Sequence, residues 1–91
     1  MYPLVWTSSF TRRARKFLTR HPELRGKFVS ILADMERDPF QPHLRYHHLT
    51  GKLQGMQAIS ITSSYRLTLT IQITEHEIHL LDVGSHDGEH R

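Results

Sequence analysis

His47, His48, Arg66 and His86, with Ser60 and Ser64 between them, are the residues of this chain whose types best suit chemistry. A guanidinium grips phosphate through paired, charge-assisted hydrogen bonds. Imidazoles of near-neutral pKa can take a proton from one oxygen and return one to another. Together these groups suit metal-free cleavage of RNA, in which the ribose 2′-OH attacks the adjacent phosphorus. A base must deprotonate the hydroxyl, an acid must protonate the leaving oxygen, and a cation must stabilise the growing negative charge. His47, His86 and Arg66 fit those three roles, and because DNA lacks the 2′-OH, RNA is the natural substrate. The chain has no cysteine, which excludes thiol nucleophiles, thiolate zinc sites, iron–sulfur clusters and disulfides.

The elements that must position these groups are legible in the hydrophobic pattern. Tyr2 to Thr7 suits a short first strand, with Pro3 confined to its start or an edge. Ser8 or Ser9 can cap a helix carrying Phe10, Ala14, Phe17 and Leu18 on one stripe to about Thr19. Pro22 can open a second helix, with Leu24, Phe28, Ile31, Leu32 and Met35 as its apolar face and its end at Asp38, before Pro39. The short link between the two predicts a helical hairpin. After Phe40 the period changes. Tyr65 to Thr74 alternates without interruption, which predicts a strand with one buried and one open face. Met56 to Ile61 precedes it across the turn Thr62-Ser63-Ser64, and Glu77 to Val83 follows across Thr74-Glu75-His76. Leu44 to Leu49 is a weaker candidate, joined through Gly51 to Gly55. The fold class is therefore α+β: one short strand, a two-helix hairpin, then a mainly antiparallel meander of three or four strands with the helices on one face. With 91 residues and no repeat or linker, a single domain spanning 1–91 is expected.

An antiparallel meander sets the end of one strand beside the start of the next. Arg66 opens its strand on the expected solvent face, and the segment 84–87 leaves the following strand, so His86 is expected at the same sheet edge, with Ser60 and Ser64 flanking the turn there. Pairing through the Gly51 to Gly55 loop sets position 47 opposite about position 59, so His47 or His48 joins the group. An isolated exposed histidine usually has no function, and eight in one small chain make some clustering unsurprising. The convergence carries the inference, not the count. Arg12, Arg13, Arg15, Lys16 and Arg20 cover the polar side of helix one, either as a solvated face or as a patch for a nucleic-acid backbone. The formal charge of +3 fits both. Metal binding is the competing use of the histidines. His76 and His79 point to opposite faces of a strand, and His86, Glu89 and His90 converge only if the tail winds into a helix. No metal or small-molecule cofactor is expected. Neither a membrane span nor a signal peptide is visible, which fits a cytoplasmic protein.

Three strings, in this order after a strand and a helical hairpin, resemble the RelE/YafQ branch of the RelE/ParE toxin superfamily over nearly the whole chain. His47-His48-Leu49-Thr50-Gly51-Lys52-Leu53-Gln54-Gly55 is similar to the family's H-x-L-x-G-x-x-x-G segment. Ser64-Tyr65-Arg66-Leu67 resembles its Y-R-L/I strand start, and Leu80 to Asp87 its closing strand and G-[ST]-H-x motif. The resemblance implies a RelE-like microbial RNase fold and a toxin of a type II toxin–antitoxin pair. Such a toxin enters the ribosomal A site and cuts mRNA without a metal, and its partners are a cognate antitoxin, the ribosome and mRNA. By motif position it implies catalytic roles for His47, Arg66 and His86. His48, Lys52, Ser60, Ser64, Tyr65 and His90 are the surrounding candidates for holding substrate, with Arg12, Arg13 and Lys16 on helix one.

The chain departs from the family pattern at three places. Ser60 stands where YafQ-like members carry a second histidine, Ser64 where they carry an aspartate, and His90 where the closing motif usually ends in Tyr or Phe. His90, Tyr65 or Tyr46 is left to supply a stacking ring. Two other readings stay open: a ParE-like toxin that inhibits DNA gyrase by binding alone, and a degenerate RelE relative that binds an antitoxin without toxicity.

Overall fold

The computed structural model describes residues 1–72 and 74–85. The chain runs β1 (Leu4–Val5), α1 (Ser8–Arg20), a 3-10 turn (Pro22–Leu24), α2 (Arg25–Arg37), a second 3-10 turn (Pro42–Leu44), β2 (His47–His48), a third (Gly51–Leu53), β3 (Gln57–Ser60), β4 (Tyr65–Gln72) and β5 (Glu77–Ser85). The five strands form one sheet in the order β1-β5-β4-β3-β2. Strands β2 to β5 are the expected antiparallel meander, and β1 adds a parallel edge strand, Leu4 opposite Ile78 and Val5 opposite His79.

The cap of helix α1 lies one residue before the expected serines. Thr7 is the cap, its Oγ1 accepting from the Phe10 amide at 3.0 Å, a contact worth about 1 kcal/mol at a helix start. The apolar stripes then do what their spacing requires. Phe10, Ala14 and Phe17 of α1 and Phe28, Ile31 and Met35 of α2 pack on Ile59, Leu67, Leu69, Ile78, Leu80 and Val83 of the sheet in one core. Pro22 opens a 3-10 turn rather than α2 itself, which starts at Arg25. The segment 44–49 is mostly not strand. Leu44 closes a 3-10 turn, Arg45 adopts a left-handed φ of 54°, and only His47 and His48 pair with β3. Strand β5 continues to Ser85, two residues past the expected end, and its register against β4 shifts between Thr68 and Leu69, so that Leu81 is the extra residue of a bulge.

Asp34, near the end of α2, ties the α2–β2 connection down. Its carboxylate accepts from His43 Nε2 at 2.9 Å and Arg37 at 3.0 Å, while Gln41 Nε2 donates to the Asp34 carbonyl at 2.9 Å. The His43 hydrogen bond, helped by the charges of His43 and Arg37, holds the Asp34 carboxyl below its ordinary 3.8. A carboxyl depressed in the folded state stabilises it fully above the unfolded value, and that stability is lost as pH falls through the lower folded value. Urea midpoints of Asp34→Asn should therefore fall below wild type at pH 6 and approach it below pH ~3.8. A gap that stays constant down to the acid limit would mean that the carboxylate contributes through shape rather than charge.

Candidate functional site

Arg66 sits in the second position of β4, opposite Ser60 of β3 and Gly84 of β5. Residues directly opposed across a ladder share a face, so Ser60, Arg66 and Gly84 form one row on the side away from the helices. The next row on that face runs His47, Ala58, Thr68, Asp82. His47 thus lies opposite Ala58, one residue from the expected position, and that residue decides which histidine faces Arg66. The expected register would have turned His47 toward the helices; the observed one turns His48 there. Ladder spacings put the His47 and Arg66 Cα atoms about 12 Å apart, two strands across and one row along.

This face differs from the open platform that the alternation suggested. Arg66 is 4% exposed and Thr68 3%, with Ala58 and Leu49 also buried. Ala58 and Thr68 are short side chains opposed in adjacent strands. Arg66 is held by an interacting partner rather than free. A positive charge withdrawn from water acts more strongly on a nearby anion than one at the surface.

His47, by contrast, is exposed, and its orientation is set by the backbone before it. Its Nδ1 lies 2.7 Å from the Arg45 carbonyl. A carbonyl only accepts, so in the neutral ring Nδ1 carries the hydrogen and Nε2 keeps its lone pair. The left-handed conformation of Arg45 turns the chain into β2 at this point. The local arrangement is that of a base aimed outward.

Other candidates are distributed differently. Ser64 is exposed in the β3–β4 turn, which Thr62 Oγ1 holds by accepting from the Ser64 and Tyr65 amides at 3.1 and 3.3 Å. Lys52 is exposed on the turn after β2. Tyr65 is turned to the helix side, its ring 5.3 Å from Phe17 and 4.6 Å from His21. Tyr46 packs between Phe40 at 4.9 Å and His48 at 5.7 Å, and burial pushes its phenol pKa up. Neither tyrosine shares the face of Arg66. Arg12 is exposed, whereas Arg13 and Lys16 line a groove at the outer edge of β5. His86 and His90 lie outside the described residues, as does the tail proposed for a metal.

His76 packs on Tyr2 while His79 meets Glu77 at 3.3 Å, and among the described residues no three His, Asp or Glu side chains gather around one point. Among the same residues no helix is long and apolar enough to cross a membrane.

The groove, of about 390 Å³, includes Arg20, expected only as part of the helix-one cationic patch, and His21, which the sequence did not suggest. Arg20 continues the cationic face one turn beyond Lys16. Nothing local singles out His21, which ends α1 and meets Tyr65 only through the tertiary fold.

No protein-family model matches this sequence, and no curated protein does. Among solved structures the chain is similar to the YoeB/ParE toxin from Agrobacterium tumefaciens, at 22% identity and a TM-score of 0.70 over 92% of this chain and 98% of that one. It is similar to YafQ from E. coli at 11% identity and a TM-score of 0.70, covering 98% of each. It also matches the toxin–antitoxin complex RelBE2 from Mycobacterium tuberculosis at 21% identity and a TM-score of 0.68, over 92% of this chain and 96% of that one. The chain has the α+β fold of the RelE/ParE toxins.

Proposed function

We propose that this protein is the toxin of a toxin–antitoxin pair and acts as a metal-independent endoribonuclease on mRNA in the ribosomal A site. His47 Nε2 takes the proton of a ribose 2′-OH, and the freed oxygen attacks the adjacent phosphorus. The bond from phosphorus to the 5′ oxygen breaks, leaving a 2′,3′-cyclic phosphate on one fragment. His86, assigned from the sequence alone, gives its proton to the departing oxygen, and Arg66 stabilises the charge on the non-bridging oxygens. One observation carries this reading: an outward-facing imidazole with its Nε2 lone pair available shares a sheet face with a guanidinium about 12 Å away by ladder spacing. The two side chains, extending from Cα positions that far apart, can reach one linkage between them. Because Arg66 is buried, the linkage meets it only when neighbouring side chains give way, which fits a site completed by docking on the ribosome.

An antitoxin partner is supported by the similarity to RelBE2 from Mycobacterium tuberculosis, a toxin–antitoxin complex. An acidic segment that folds on binding would match the basic helix α1. The test of the activity is primer extension on mRNA after induction of the chain alone. Cuts at fixed codon positions are expected. Growth arrest with intact mRNA would overturn the nuclease in favour of toxicity by binding, and harmless expression would overturn toxicity itself.

A further inference from the structure

The groove at the outer edge of β5 lies on the helix side of the sheet, away from His47, and the reaction above does not use it. Its helical wall presents Lys16 and Arg20, both exposed and without an ion pair to any described residue. Arg13 lies on the same wall but is partly neutralised by Asp82, at 3.4 Å. Rings stand beside these cations: His21, at the C-terminal end of α1, packs tilted with ring centroids 4.6 Å from Tyr65 of β4 and 4.8 Å from Phe17, and both His21 and Tyr65 are half-buried. Cations beside the faces of planar rings are what single-stranded nucleic acid requires: charge for its phosphates and a surface for a base. An acidic peptide would use the cations but gain little from the rings.

The groove also communicates with the Arg66 row. Tyr65 opposes Ser85, and Arg66 opposes Gly84, so consecutive residues of β4 face the groove and the Arg66 face in turn. Gly84 belongs to both, lining the groove while standing in the row of Arg66. A Cβ built there would meet nothing within 4 Å. Among the described residues β1 pairs with β5 only at Ile78 and His79, which leaves no strand beside Gly84 to close that edge.

We propose that this groove binds single-stranded RNA next to the cleaved linkage. Phosphates lie on Lys16 and Arg20, a base lies against His21 and Tyr65, and the backbone crosses the sheet edge at Gly84 to reach Arg66. The proposal rests on the nuclease reading and adds to it a path for the RNA. It is tested with the full chain and a fluorescent single-stranded RNA carrying 2′-O-methyl ribose, which binds but cannot be cut, by anisotropy at several salt concentrations. Lys16→Gln with Arg20→Gln should weaken binding about tenfold. It should also lower the slope of log affinity against log salt by about 1.4, since each single-strand phosphate contact contributes ~0.7. Gly84→Val should weaken binding while leaving the melting temperature unchanged or raised, because valine suits a strand and has space there. Unchanged affinity and slope in the double variant, or unchanged binding by Gly84→Val, would overturn the path. So would a double variant that loses binding to a polyaspartate probe while RNA affinity holds, since the groove would then serve an acidic polypeptide. Codon-specific cuts by the wild type persisting beside such results would leave the nuclease reading standing and the groove assignment alone refuted.

Discussion

Arg66→Ala is expected to lower the rate of mRNA cleavage by ~10² to 10³, the loss seen when one preorganised group stabilising transition-state charge is removed. The cause lies in where Arg66 sits. A guanidinium 4% exposed acts on a phosphate through little intervening water, so removing it takes away a strong field rather than a screened one. The same burial complicates the experiment. Truncating a buried, partnered arginine strips its neighbour of a contact and costs stability, so a loss of activity alone would not separate chemistry from folding. Arg66→Lys resolves this, because it keeps the charge while losing the planar fork that grips two phosphate oxygens. Single-turnover cleavage on programmed ribosomes, read beside melting temperatures, should place Arg66→Lys between wild type and Arg66→Ala in rate. Full activity in a folded Arg66→Ala would remove the guanidinium from the mechanism.

His47→Ala makes the cleaner experiment and carries the second large effect. His47 is exposed, and the only hydrogen bond its side chain makes among the described residues is to the Arg45 carbonyl, which water can replace. Its removal should hardly move the melting temperature, since exposed substitutions usually change stability by less than about 0.5 kcal/mol. A general base contributes ~10² to 10⁴ in rate, so under the proposed role cleavage should drop by that factor at neutral pH. His48→Ala is the internal control. Register turns it to the other face, beside Tyr46, and it should cleave nearly as wild type does. Equal losses from His47→Ala and His48→Ala would contradict the ladder assignment. Full cleavage by both variants would remove His47 from the mechanism.

The groove and the two catalytic candidates connect through β4 and β5, and this shapes how an antitoxin could silence the protein. An acidic segment laid along Lys16 and Arg20 would compete with RNA at the edge of β5 without approaching His47. One laid across the opposite face would cover His47 and Arg66 together. The two modes predict different protection of His47 from diethyl pyrocarbonate in the complex.

Much of the architecture is local in origin and was therefore legible beforehand. Helical stripes such as Phe10, Ala14 and Phe17, and the alternation from Tyr65 onward, each reflect a period set by backbone geometry, so the α+β class and the meander follow from the order of residues. The same logic sets Arg66 beside Ser60 across a short turn. Three features were decided only by the tertiary fold. The register of β2 was one, because a two-residue His-His strand carries no hydrophobic alternation to lock it, and its pairing depends on a loop with left-handed Gly51 and Gly55, at φ 68° and 95°. The burial of Arg66 was another, since its own alternation assigns it to solvent and only the packing of neighbouring rows withdraws it. The groove was the third, joining residues 13–21 to 82–85, which no pattern within either segment relates. Periodicity states which way a side chain points from its own element. What it meets there depends on contacts between distant parts of the chain, and those exist only once the core has closed.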